Sequence, residues 1–106
     1  MPNSTLGNYQ QAIKDFNKAI ELDPQYANAF YNRGVTNSTL GNYQQEIKDY
    51  NKAIELDPLM ASAYNNRGNA YGKLGNYQQA IADTKTAARL GHEKAQNYLR
   101  SKGIGW

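Results

Sequence analysis

Tyr43, Ile47, Tyr50 and Ile54 follow one another at steps of four, three and four, with polar residues between them. That spacing sets all four on one face of a helix. Tyr77, Ala80, Ile81 and Thr84 open a second helix of the same type, and Tyr64, Gly68, Tyr71 and Leu74 predict the helix before it. The stops are as plain as the stripes. Leu74 meets Gly75, a residue free to take the left-handed conformation that ends a helix. Asn76 then stands as an N-cap with Gln79 three residues on, the spacing of a capping box. Asp57-Pro58 ends the helix that contains Ile54, because proline cannot continue a helix and restricts the residue before it. Each unit is therefore a helical hairpin.

These hairpins recur. Leu6-Gly7-Asn8-Tyr9-Gln10-Gln11 returns as Leu40-Gly41-Asn42-Tyr43-Gln44-Gln45 and again as Leu74-Gly75-Asn76-Tyr77-Gln78-Gln79, each copy 34 residues after the last. Ala19-Ile20-Glu21-Leu22-Asp23-Pro24 returns at the same interval as Ala53-Ile54-Glu55-Leu56-Asp57-Pro58, and Arg33-Gly34 as Arg67-Gly68. A fixed period of this length marks a stack of supersecondary units, each hiding the apolar face its neighbour cannot hide alone.

At these residues the chain resembles the tetratricopeptide repeat (TPR) family. The resemblance rests on the period, on Phe30 or Tyr64 early in helix A, on Gly34 or Gly68 at its middle, and on Leu40-Gly41 or Leu74-Gly75 at the turn. It extends to Ala12 or Ala80 early in helix B, to Ala19, Ala53 or Ala87 within it, and to Pro24 or Pro58 at its end. It implies an all-α fold, an α-solenoid of TPR helix-turn-helix hairpins with a C-terminal capping helix. One domain over 1–106 would hold a partial repeat (1–24, helix B only, from about Asn8 to Leu22), repeats at 25–58 and 59–91, and a capping helix and tail at 92–106. In the cap, Ala95, Tyr98 and Leu99 are expected to face inward, and Trp106 to fold back on apolar surface.

Three departures stand out. The first helix B carries an apolar face of Ala12, Ile13, Phe16, Ala19 and Ile20 without a helix A to cover it. Either the helix tolerates exposure and frays, or a second chain covers it. Glu46 stands where the family has alanine, expected against Gly34, so its carboxylate must reach solvent or a partner. Asn37 takes the place held by Tyr71 in the next copy, within a run of Thr, Asn and Ser that competes with helix geometry. The hairpin at 25–58 is thus expected to be the weakest, and a homodimer by domain swapping is the second functional reading, with Ala12, Ile13, Phe16, Ile20 and Glu46 at the contact.

The first functional reading also comes from the resemblance. Helix A faces of the family line a concave groove in which peptides lie. Carried over by position, the groove is Asn28, Tyr31, Asn32, Val35 and Thr39, then Ser62, Asn65, Asn66, Asn69 and Lys73, then Gln96 and Arg100 from the capping helix. Asparagine presents a donor and an acceptor together, suited to peptide bonds running either way. Some members clamp an acidic C-terminus with Lys, Asn, Asn, Lys and Arg. Here Tyr31 and Val35 hold the first two places, Asn66 and Arg100 fit later ones, and Gln96 replaces lysine, so tight binding of acidic tails is not expected. Arg33 and Arg67 stand sixteen residues before Asp49 and Asp83, which predicts an ion pair across each hairpin.

Composition narrows the field. There are no cysteines, hence no disulfide, thiolate metal site or thiol nucleophile. His92 is the one histidine, and no HExxH, phosphate loop, GxSxG or GxGxxG occurs, so neither enzyme activity, nor a metal site, nor a cofactor is expected. The net charge of +3 is spread without a basic cluster, which gives no footprint for nucleic acid. Lys14, Asp15, Lys18, Lys48, Lys52 and Glu55 fall on the outer helix B face as solvated charge. No apolar run reaches membrane-spanning length, so no membrane insertion is expected. The chain reads as soluble, with a cytoplasmic setting favoured and its partner a protein or peptide. Asn3-Ser4-Thr5 and Asn37-Ser38-Thr39 match the glycosylation acceptor pattern as by-products of the repeat.

Overall fold

The computed structural model describes residues 2–106, with side chains from residue 6 onward. Six helices follow in order: α1 (Pro2–Leu22), α2 (Ala27–Thr39), α3 (Tyr43–Leu56), α4 (Ala61–Lys73), α5 (Tyr77–Arg89) and α6 (Glu93–Ser101). No strand occurs among the described residues. Helices α2 with α3 and α4 with α5 form the closest pairs, each pair meets the next, and α6 closes the stack against α5. The fold is an all-α helical-repeat solenoid.

Local chemistry sets each turn. After α2, Gly41 takes φ 77°, its N–H donates to Ser38 O at 3.0 Å, and Asn42 N–H donates to Asn37 O at 2.8 Å. This is the paired bonding of a Schellman stop, which occupies carbonyls the helix end would leave free. Gly75, Gly91 and Gly103 repeat it after α4, α5 and α6. The opposite turns use the carboxylates of Asp23 and Asp57, which accept from Gln25 N–H and Leu59 N–H just past the helix end. Asn42 and Asn76 sit at the N-caps, but neither side chain makes a capping bond. The Schellman bond already fixes their backbone, so the expected capping box is absent. His92 does cap: its Nδ1 accepts from Ala95 N–H at 3.2 Å, which gives the lone histidine a structural role.

The first helix differs from expectation. Leu6-Gly7-Asn8 repeats the turn sequence, yet α1 runs through it from Pro2. No described helix packs back against this stretch, a Cβ at Gly7 would meet open space, and nothing diverts the helix from continuing. Proline at its start is compatible with a first-turn position. Ala12, Ile13, Phe16 and Ile20 are half-buried, and α1 packs chiefly against α2.

The interior is built largely from alanine. Ala53, Ala63 and Ala87 are fully buried, with Ala29, Ala70, Ala88 and Ala95 close behind, and Tyr50, Phe30 and Leu99 supply the bulk. Small residues let helix axes approach closely. Tyr50, not Glu46, is what lies on Gly34: a Cβ there would fall 2.6 Å from the tyrosine ring. In the next hairpin a Cβ at Gly68 would fall 3.0 Å from the Ala80 carbonyl oxygen. In the cap, Ala95 and Leu99 join Ala87 and Ala88, with Tyr64 and Ile104 packed against them. Tyr98 is about half exposed instead of facing inward. Trp106 folds back against arginines and stays partly exposed, where an apolar bed was expected: its ring lies under the Arg100 guanidinium, and its backbone oxygen accepts from Arg89 Nε at 2.9 Å.

Both expected ion pairs are present, and each reaches a third helix. Arg33 donates from Nη2 and Nε to Asp49, closest at 2.7 Å, and from Nη1 to Asn17 Oδ1 of α1 at 2.9 Å. Arg67 repeats this with Asp83 at 2.7 Å and Asn51 of α3 at 3.0 Å. Their guanidinium groups lie over Phe30 and Tyr64. Hydrogen bonding to Asp83 holds the Arg67 guanidinium charged against the opposing effect of burial. Asn37 is no defect: its buried amide donates to Asp49 Oδ2 at 3.0 Å, and α2 and α3 pair as extensively as α4 and α5. The second sequon thus begins on a buried residue; the side chains of the first lie outside the described residues.

Replacing Arg67 with alanine strands Asp83, which is only 6% exposed. Arg67→Ala is expected to destabilise the fold by about 3 kcal/mol, whereas Asn51→Ala, which removes one neutral acceptor, costs about 1 kcal/mol. Urea unfolding followed by circular dichroism checks both. An unchanged midpoint for Arg67→Ala would rule out the clip.

Candidate functional site

A cleft of about 890 Å³ lies along the helix A side. Helix α2 contributes Val35, Ser38 and Thr39 from its last turns. Helix α4 contributes Asn65, Asn66, Asn69 and Lys73, and α6 contributes Lys94 and Tyr98. Helices α3 and α5 supply Glu46, Tyr50, Tyr77, Ala80, Ile81 and Thr84. Of these, Glu46, Tyr50 and Thr84 are buried, and Tyr77 stands largely exposed.

Of the residues expected in the groove, Val35, Thr39, Asn65, Asn66, Asn69 and Lys73 line this cleft, whereas Asn28, Tyr31, Asn32, Ser62, Gln96 and Arg100 do not. Their other engagements explain part of that. The Tyr31 hydroxyl accepts from Asn66 Nδ2 at 3.0 Å and its ring lies 5.8 Å from that of Tyr50, so Tyr31 ties α2 to α3 and α4. Gln96 turns inward and donates to the Ala88 carbonyl at 2.9 Å. Arg100 is held over Trp106 and donates to Asn97. Asn28 and Asn32 are exposed on α2, and Ser62 is half-buried on α4. Lys73 lies over the Tyr43 ring, its Nζ 5.4 Å from the ring centre.

Glu46 departs most from expectation. It neither reaches solvent nor finds an ion-pair partner among the described residues: it is 2% exposed, and its Oε1 has no hydrogen-bond partner. Burial pushes its carboxyl up from the ordinary value of 4.5. The Tyr50 and Ser38 hydroxyls and the Lys73 charge act in the opposite direction. Burial, with the Glu46 charge adding to it, also pushes the Tyr50 phenol well up. Sequence reasoning placed Glu46 at a helix–helix contact, but its position in the cleft wall depends on Tyr50 having taken the space over Gly34.

The TPR repeat family model matches residues 5–41 and 39–75, and the tetratricopeptide repeat model matches 61–94. The chain belongs to the tetratricopeptide repeat family. Such arrays are protein-interaction scaffolds, and the family is in general a non-catalytic protein-binding repeat. Two crystal structures of MamA are 31% identical, with TM-scores of 0.79 and 0.76 over 89% of this chain. The chain spans about half their length, 55% and 51%. The first TPR of Spaghetti (RPAP3), bound to the HSP90 peptide SRMEEVD, is 27% identical with a TM-score of 0.83, over 92% of this chain and 79% of that one. No curated protein matches in sequence. No helix of the described residues is long and apolar enough to cross a membrane, and no described cluster of His, Asp or Glu could hold a metal ion.

The Glu46 carboxyl has a definite pH signature. Its folded-state affinity for a proton is raised, so the folded state carries no penalty from it below pH 4.5 and a growing one as pH rises through the raised value. Glu46→Gln is therefore expected to match the parent in stability near pH 4 and to exceed it at pH 7. Urea unfolding of both proteins across that range checks this, and a gap that shrinks with rising pH would contradict it.

Proposed function

We propose that the cleft holds a segment of a partner protein, extended or helical, along the α4 face. The observation that carries this is the convergence of Asn65, Asn66 and Asn69 on an 890 Å³ hollow that also offers Val35, Tyr77 and Tyr98 as apolar and aromatic surface. Amides satisfy peptide groups in both directions, and aromatic rings add contact area at small entropic cost. That a TPR relative holds a peptide supports the reading. The acidic peptide of that relative is not the ligand this cleft suits. Tyr31 and Val35 hold places the family's clamp gives to Lys and Asn, and Gln96 and Arg100 are engaged within the chain.

Peptides selected from a random library on the immobilised chain, titrated into ¹⁵N-labelled protein, are expected to shift the amides of Asn65, Asn66, Asn69 and Lys73. Asn69→Ala should weaken them by roughly five- to tenfold, the worth of about one hydrogen bond. SRMEEVD should bind far more weakly. Shifts confined to the outer face around Lys14, Lys18 and Lys48 would overturn this reading.

Self-association is a second reading, favoured by one observation. Leu-Gly-Asn-Tyr-Gln-Gln is broken by a turn at residues 40–42 in one copy and is continuous helix at residues 6–11 in another. Straightened as α1 is, the α2–α3 turn would open the hairpin and let α2 pair with the α3 of a second copy, a domain swap that also brings cover near Ala12, Ile13, Phe16 and Ile20. Gly41→Ala, strained at φ 77°, is expected to raise the dimer fraction in sedimentation analysis at high concentration. Monomer alone for both proteins would dispose of the swap.

A further inference from the structure

Within the three turn copies, the residue after the Gln pair is Ala12, Glu46 and Ala80. Ala80 and Glu46 both line the cleft, and Glu46 is the only carboxylate among its lining residues. A buried carboxylate with an unpartnered oxygen is destabilising by itself, and a donor arriving from outside would remove that penalty. The Tyr50 and Ser38 hydroxyls act on the carboxyl, but Oε1 itself has no hydrogen-bond partner among the described residues. Lys73, the basic residue whose charge it feels, is placed over Tyr43, and Glu46 takes part in none of the ion pairs among the described residues.

We propose that Glu46 is the specificity point of the cleft, its free Oε1 accepting a hydrogen bond from the ammonium group of one lysine side chain on the bound peptide. This rests on the peptide-binding reading of the same cleft. A neutral donor would complete the hydrogen bond and leave the charge uncompensated; a cation does both. A guanidinium fork needs two free oxygens to be used in full, and one is free here, so a point donor on a slender stem fits better. Lys73 and Lys94 on the same lining make a second basic residue nearby unfavourable. The ligand class is therefore a peptide with a single lysine at a fixed position among neutral or acidic neighbours, unlike a polybasic segment.

The experiment selects dodecamer peptides from a random library in parallel on the parent chain and on Glu46→Gln, whose fold is verified by its circular dichroism melt. The parent pool is expected to carry lysine at one fixed position and the Glu46→Gln pool to lose that preference. In a peptide made from the parent pool, norleucine for that lysine should weaken parent binding by about tenfold or more and Glu46→Gln binding by less than about twofold, the coupling expected of a charged hydrogen bond. Peptides that shift the cleft amides but show no lysine position, or show the same one on both proteins, overturn this inference and leave the peptide-binding reading standing. So does a preference for acceptor side chains, which would mean Glu46 donates. If neither protein selects a peptide that shifts cleft amides, both readings fall.

Discussion

Each full repeat is held by a guanidinium that touches three helices. Arg33 and Arg67 bridge an aspartate on the opposing helix and an asparagine on the helix before, while their flat faces lie on Phe30 and Tyr64. The interior around them is mostly alanine, which allows close approach but contributes little apolar area per residue. Much of the geometry therefore depends on a few polar contacts that tolerate little displacement. Asp49 shows how complete they are: it accepts from Arg33, Asn37 and Gln45 and is 1% exposed. The α5–α6 junction has no such clip among the described residues and relies on Leu99, Ile104 and the Gln96 bond to a carbonyl.

Close packing at Gly34 has a consequence for the cleft. Because the Tyr50 ring occupies the space over that glycine, Glu46 is left in the cleft wall, close enough to Tyr50 and Ser38 for their hydroxyls to act on its carboxyl. In the next hairpin Thr84 and Ala80 stand at the matching positions, and the same wall is neutral there. One hairpin thus gives the cleft a buried carboxyl and the other gives it amides and an exposed ring. The asymmetry arises from two of the differences between the repeats, Glu46 against Ala80 and Tyr50 against Thr84.

Much of the architecture was legible in the chain. The period of 34, the Leu-Gly-Asn stops and the Asp-Pro ends located α2 to α5 within a few residues. The sixteen-residue offset from Arg33 to Asp49 and from Arg67 to Asp83 announced both ion pairs. Asn17 and Asn51 lie sixteen residues before the same arginines, so the third arm of each clip was available from the same arithmetic. Half of the expected groove residues line the cleft; Gln96 and Arg100 fell short because an inward carbonyl and Trp106 compete for them.

By itself the sequence determined the periodic elements: where helices run, where glycine stops them, and that the units stack. Those outcomes depend on bonds between residues a few positions apart, repeated until chance is excluded. Only the tertiary structure decided that Leu6-Gly7-Asn8 continues a helix while the same letters turn at residue 40, because a turn persists where two packed helices hold it. It likewise decided that Glu46 lies buried with one oxygen free. That depends on side chains converging from α2, α3 and α4, and no local pattern specifies which space they leave.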